Sequence, residues 1–198
     1  MLEKILSIDT NLFIFLNGLG SERFDEFWLI ITKQTSWIPL FLFLLYLIFN
    51  KLGSKQTLFL MLFVAILLVF TDQIANLFKN GFQRLRPCNN PEINSFIRIV
   101  QSRKSFSFFS GHATSSMGVA TFLYLIFKKD FNYFWLLFLW PLIYAYSRIY
   151  LGLHYPIDII CGYLCGAIIA FLMFELYRIA QKRYFPVQDH REERSNLK

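Results

Sequence analysis

A chain of 198 residues is the size of one domain, but 56% of its residues are hydrophobic, 24 are phenylalanine and only 17% are charged. That balance is too apolar for an ordinary water-soluble core and points to a lipid bilayer as the solvent. The net charge of +7 would suit nucleic acid, yet the basic residues gather at the ends of apolar runs and in loops instead of interleaving with aromatics on a polar face, so anionic lipid, not nucleic acid, is the expected partner.

The first 20 residues, MLEKILSIDTNLFIFLNGLG, contain an apolar run too short to cross a membrane and carry Asp9 inside it. They read as an interfacial amphipathic helix; a cleaved signal peptide would have a longer uncharged core and a small-residue cleavage site. A spanning helix needs about 20 mostly apolar residues. Five spans are expected: Trp37 to Asn50, extensible back to Phe27; Leu58 to Phe78; His112 to Phe127; Tyr133 to Ile149; and Pro156 to Ile179. The expected fold is an all-α, polytopic membrane helix bundle in a single domain over residues 1–198, with a motif-bearing core at 58–180 and a polar tail at 181–198.

Five crossings sort the helix ends onto two sides. One side carries Lys51, Lys55, Lys128, Lys129, Arg178, Lys182 and Arg183, and short loops rich in Lys and Arg stay cytoplasmic. The other receives Lys79, the long loop from Asn80 to Gly111, and the turn Ser147 to Asp158. It too is basic, with Arg84, Arg86, Arg98, Arg103 and Lys104. The loop is about 32 residues, long enough to have a function of its own. Its INSFIRIV and SFSFF patches would either dip into the interface and guide a lipid headgroup or pack on the helix ends.

Three stretches meet on that second side: KNGFQRLRP from Lys79 to Pro87, FSGHAT from Phe109 to Thr114, and SRIYLGLHYPID from Ser147 to Asp158. Pro156 fits the first turn of the last helix. Asp158 falls in that same turn, where the helix dipole favours a carboxylate and where it can reach back to His154. An Asp orienting a His is the usual support for a nucleophile or base. Ser110, Gly111 and His112 lie where a loop enters a helix, and the free backbone N–H groups there favour an anion. Arg86 and Arg148 offer fork-shaped donors for phosphate oxygens and Lys79 a point charge. Phosphate is the natural occupant, and two histidines allow one to attack phosphorus while the other protonates the departing oxygen.

These residues resemble the type 2 phosphatidic acid phosphatase superfamily, membrane lipid phosphatases related to vanadium haloperoxidases, over roughly Leu58 to Ala180. The family's first motif, lysine, six residues, then Arg-Pro, stands as Lys79 to Arg86 and Pro87. The second, Pro-Ser-Gly-His, stands as Phe109, Ser110, Gly111 and His112, with phenylalanine in place of proline. The third, Ser-Arg, five residues, His, three residues, Asp, is met by Ser147, Arg148, His154 and Asp158. The resemblance implies that His154 is the nucleophile forming a phosphohistidine, held by Asp158, and that His112 is the general acid. Lys79, Arg86 and Arg148 would hold the phosphate oxygens, helped by Ser110 and the Gly111 amide, with neither metal nor other cofactor.

The function implied is hydrolysis of a lipid phosphomonoester or diphosphate at the outer surface of a bacterial-type inner membrane. Undecaprenyl diphosphate, lipid A phosphates and phosphatidylglycerol phosphate are the candidate substrates. The compact chain is most similar to the undecaprenyl diphosphatases, but lipid A phosphatases share the motifs. Two alternatives remain: a phosphotransferase in which a hydroxyl intercepts the phosphohistidine, and a non-catalytic lipid-binding protein. Soluble haloperoxidase chemistry does not suit so apolar a chain.

Other features carry less. Cys161 and Cys165 sit one turn apart in a helix and Cys88 alone in a loop, which makes neither a disulfide framework nor a metal site. Gly162 and Gly166 read as a helix-packing pair. Asp72, two turns before Lys79, either steers that lysine or makes a structural hydrogen bond. His190, in the polar tail, has no assigned role.

Overall fold

The computed structural model describes residues 1–186; His190 and the rest of the tail from 187 lie outside the described residues. Six helices account for the architecture: α1 (Leu2–Gly18), α2 (Asp25–Ile31), α3 (Ile38–Phe82), α4 (Gly111–Phe127), α5 (Leu139–Tyr150) and α6 (Pro156–Tyr184). Among the described residues, two helical stretches are long and apolar enough to cross a membrane, Gln34–Asn89 and Pro156–Tyr184.

Helix α3 holds two of the predicted spans. Its regular course breaks at Gly53, whose φ of 72° lies in the left-handed region that glycine enters without steric cost. The two arms fold back on each other, so Ile48 and Met61, and further out Phe41 and Leu68, line one cavity. The predicted span His112 to Phe127 lies in α4, Tyr133 to Ile149 becomes a short 3-10 turn (Phe134–Phe138) leading into α5, and Pro156 to Ile179 lies in α6. Lys51 pairs with Asp130 at 2.6 Å, so the turn at Gly53 and the turn after α4 sit at the same end of the bundle.

The core is apolar and centred on α4. Leu67, Ala120, Phe122, Phe127, Ala170 and Tyr177 are buried together, whereas Leu164, Ile168, Phe171 and Leu172 on the other face of α6 are exposed. A helix dry on one face and apolar on the other has the pattern of a bundle surrounded by lipid.

Helices α4 and α6 approach more closely than side chains normally allow. A Cβ added at Gly166 would clash with the Thr114 carbonyl oxygen, and one at Gly162 would meet the Ser110 carbonyl oxygen at 2.9 Å. The packing role expected of these glycines is therefore fulfilled through backbone contact. Gly166→Leu should push α6 off α4 and cost about 1–3 kcal/mol of stability, the usual penalty of overpacking. Thermal unfolding in detergent measures this, and an unchanged midpoint would deny the contact its importance.

The N-terminal segment forms the predicted helix, and one of its faces is buried against the bundle. Asp9, Phe13 and Asn17 of α1 are buried, and the helix packs on α5 and α6. The Asn17 amide donates to the carbonyls of Arg98, Ile149 and Tyr150, and its oxygen accepts from the Arg98 N–H at 2.8 Å. Helix α1 is thus fastened to the long loop and to the end of α5.

Candidate active site

Backbone hydrogen bonds sew the three motif stretches together at one end of the bundle. Cys88 N–H donates to the Gly152 carbonyl at 3.1 Å, Gln101 N–H to Leu151 at 3.2 Å, Ser107 N–H to Arg84 at 2.8 Å and Ser110 N–H to Asp158 at 3.0 Å. Buried peptide groups need partners, and the loop 83–110 and the turn 151–155 supply them to each other. Of the loop's apolar patches, Ile93 and Phe109 pack against the helix ends, while Phe96 and Ile99 are exposed and free to meet an interface.

His154 sits at the centre, 2% exposed. Its Nε2 lies 2.9 Å from Arg86 Nη1, and its Nδ1 lies 3.4 Å from Asp158 Oδ2. A guanidinium N–H can only donate, so Nε2 accepts and the imidazole proton belongs on Nδ1, facing the carboxylate. That tautomer leaves the Nε2 lone pair available for attack once Arg86 turns to another acceptor. Burial pushes the His154 pKa well below its ordinary value, and the nearby positive charges of Arg86, Arg148 and Lys79 push the same way, so the ring is neutral at neutral pH.

Asp158 is fully buried and held at three points. As the third residue of α6 it accepts from the Tyr155 N–H at 2.9 Å, the N-terminal capping geometry, and Arg84 Nη1 donates to its Oδ1 at 2.8 Å. Its third contact is the one to His154.

Three cations surround the imidazole without an acidic partner. Arg86 is 3% exposed, and its bonds go to the carbonyl and hydroxyl of Ser105 and the Leu153 carbonyl besides His154. Arg148 is 1% exposed, donates to the Thr32 hydroxyl, and keeps its Nε buried without a hydrogen-bond partner among the described residues. Lys79 is half-buried at the end of α3, with its Nζ 3.4 Å from where a Cβ on Gly111 would stand. Among the described residues, Arg86, Arg148 and Lys79 form no ion pair with a carboxylate. Buried positive charge is costly unless paired, and an arrangement of this kind is suited to a bound anion.

Ser110 caps α4, its hydroxyl oxygen accepting from the Ala113 N–H at 3.4 Å. The Gly111 and His112 amides, in the first turn, have no intrahelical acceptor, which is the usual makeup of an anion site. His112 is half-buried, its ring 4.9 Å from that of Tyr144. Phe109 packs its ring 4.8 Å from Phe78 at the end of α3. Aromatic packing therefore steadies the loop where the family pattern has a proline. Next to this end, a cavity of about 300 Å³ opens between the arms of α3, α4 and α5, lined by Trp37, Phe41, Val64, Val119, Ser115 and Tyr144.

The geometry and the comparisons with known proteins converge. The profile of the PAP2 superfamily matches residues 56–182, the region that holds all three motif stretches. The chain belongs to the PAP2 superfamily. It is 31% identical to the lipid A 4'-phosphatase of Porphyromonas gingivalis over 92% of this chain and 78% of the relative. It is 35% identical to the lipid A 4'-phosphatase of Bacteroides thetaiotaomicron over 88% of this chain and 79% of the relative. The undecaprenyl-diphosphatase of Sulfolobus acidocaldarius is 31% identical over 73% of this chain and 65% of its own length. In fold, this PAP2 protein is similar to the crystal structure of Aquifex aeolicus LpxE, with a TM-score of 0.65, 21% identity and coverage of 84% of this chain and 94% of that one.

Every residue singled out from the PAP2 motifs therefore lies at one end of the bundle, in the loops or at the helix ends that meet there. Asp72 does not join them: its carboxylate accepts from Asn76 at 3.0 Å on an exposed face of α3. Cys88, Cys161 and Cys165 are free. Three contributors escaped sequence reasoning: Thr32 on Arg148, Ser105 on Arg86, and Arg84, which links Asp158 to Asp9 at 2.7 Å. For Asp9 a signal existed, since a lone acid inside an apolar run is by default functional.

Proposed function

We propose that this protein is an integral-membrane phosphatase of lipid phosphates, with five membrane crossings and its active site at the non-cytoplasmic face. The observation that carries the reading is the set of buried cations without acidic partners around a neutral, Asp-oriented His154. The apolar outer face of α6 and the gathering of Lys51, Lys55, Lys128 and Lys129 at the far end from the site support the placement.

In this reading His154 Nε2 attacks phosphorus in line with the departing oxygen, and the new N–P bond forms as the P–O bond breaks. Arg86 leaves Nε2 for a phosphate oxygen; Arg148, Lys79, the Ser110 hydroxyl and the Gly111 amide hold the remaining charge, which is electrostatic stabilisation of the transferring group. Asp158 stabilises the positive charge that grows on the ring. His112 gives its proton to the lipid oxygen and then takes one from the water that attacks the phosphohistidine, returning inorganic phosphate and free His154. The cationic side chains neutralise the group without a metal.

Two relatives matched over most of this chain are named for the 4'-phosphate of lipid A, which makes a glycolipid phosphomonoester the leading substrate class. Undecaprenyl diphosphate is the second reading, on the Sulfolobus relative. The cavity beside His112 and Tyr144 has the apolar lining an acyl or isoprenoid chain requires.

The test is phosphate release by detergent-purified protein from a panel of lipid A, undecaprenyl diphosphate and phosphatidylglycerol phosphate, with and without excess EDTA. Release is expected fastest from lipid A and unchanged by EDTA. No release from any member sinks the reading; release that stops in EDTA and returns with a divalent metal removes the metal-free mechanism.

A further inference from the structure

Helix α1 lies outside the residues that match the PAP2 profile, yet it delivers a carboxylate to the site. Asp9 is 2% exposed and both its oxygens are engaged. Oδ1 accepts from the Ile157 N–H at 2.8 Å, in the first turn of α6, and Oδ2 accepts from Arg84 Nη2 at 2.7 Å. The other arm of the same guanidinium, Nη1, donates to Asp158 Oδ1 at 2.8 Å. Arg84 therefore bridges two buried carboxylates, with its plane seated 3.8 Å over the Tyr155 ring.

Two consequences follow for Asp158. Its Oδ1 is fixed by Arg84, which turns Oδ2 toward Tyr155 N–H and His154 Nδ1, at 2.9 and 3.4 Å. The fork can hold that angle because Asp9 pins its other end; a guanidinium is rigid, so fixing one arm fixes both. Charge matters as well. Arg84 paired with Asp158 alone would cancel the carboxylate that must face the cationic ring. With both carboxylates ionised, the group of three carries one net negative charge, and Asp158 can stabilise a positive His154.

We infer that Asp9 is a positioning residue of the phosphatase reaction, acting on the nucleophile through Arg84 and Asp158. The inference rests on the reading of His154 as nucleophile. It makes α1 part of the working enzyme, where sequence patterning gives it only a place at the membrane interface.

A carboxylate that merely fastened α1 to the bundle would cost the same activity whatever stood at position 158. A relay component loses its effect once the relay is gone, because residues acting as a unit are non-additive. The experiment measures kcat and KM of the purified full chain on one lipid phosphate for wild type, Asp9→Asn, Asp158→Asn and the double variant. Asp25→Asn serves as control, since it breaks the 2.8 Å ion pair to Arg98, another tie of the N-terminal segment, away from Asp158.

Asp9→Asn is expected to lower kcat about 10–100-fold, the scale of a small misplacement of a reacting group, with KM changed less than about twofold. In the Asp158→Asn background the same substitution should cost less than about twofold, and Asp25→Asn should leave kcat at the wild-type value. Equal losses from Asp9→Asn in both backgrounds, or an unchanged kcat in the single variant, overturn the inference. Where Asp9→Asn fails to fold, Arg84→Lys carries the same comparison with the same outcomes, because a lysine keeps the charge but cannot reach both carboxylates. Wild-type protein that releases no phosphate at all refutes the functional reading itself, a result distinct from any ratio between variants.

Discussion

His154→Ala is expected to lower phosphate release by roughly four powers of ten or more and to leave no phosphate covalently attached to the protein. In the proposed mechanism the size follows from removing the nucleophile, whose attack splits one difficult displacement into two easier ones. The site is built around its Nε2: the proton is held on Nδ1 by Asp158 at 3.4 Å, burial keeps the ring neutral, and Arg86 at 2.9 Å marks the place where phosphate oxygens would draw the guanidinium away. The measurement is single-turnover trapping with radiolabelled substrate, quenched in alkali because acid hydrolyses the N–P bond of a phosphohistidine. Phosphate that stays bound in His154→Ala would move the nucleophile elsewhere, with His112 the first place to look. The fold itself should survive, since alanine leaves the Arg148 carbonyl bond from the residue 154 N–H in place.

The sequence revealed the residues of this site more readily than their connections. Lys79, Arg86, His112, Arg148, His154 and Asp158 are polar groups at the ends of apolar runs, and a run long enough to cross a membrane must bring its ends to a surface, so hydropathy alone sorts them onto a side. Pro156 and Asp158 announce a helix start through local chemistry, and the structure begins α6 there. The hairpin within α3 was legible too, since Lys51, Gly53 and Lys55 interrupt the apolar pattern where the chain reverses. What lay hidden depends on tertiary approach. Asp9 meets Ile157 across 148 positions of sequence and Arg148 meets Thr32 across 116, and no periodicity reports such a meeting. Asp9 was legible only as a charge inside a short apolar run; its burial against Arg84 was not. The opposition between Arg86 and His154 was equally out of reach, because a phosphate-holding arginine and a nucleophile are separate elements of a motif and only geometry shows them in contact.

His112→Ala should separate leaving groups by their need for a proton. On a lipid phosphate the departing oxygen is an alkoxide, a poor leaving group, and loss of the general acid is expected to cost about 10²–10⁴-fold in kcat/KM. On an aryl phosphate the phenolate departs with little help, and the cost should fall to about tenfold or less, for the same reason. The proposed role fits the position of His112: its half-buried ring stands at the first turn of α4, against Tyr144, which lines the apolar cavity. No carboxylate orients it as Asp158 orients His154, so among the described residues its ring lacks the support that makes an imidazole a strong nucleophile. Because phosphorylation of His154 by an aryl substrate does not require the acid, His112→Ala should still form the covalent intermediate from that substrate. The intermediate should then persist, since the water that hydrolyses it has lost its base. Rates on both substrates, with alkaline trapping of the phosphoprotein, decide the matter. Equal losses on lipid and aryl phosphates would deny His112 a part in leaving-group departure, and an intermediate that vanishes in His112→Ala but forms in His154→Ala would exchange the roles of the two histidines.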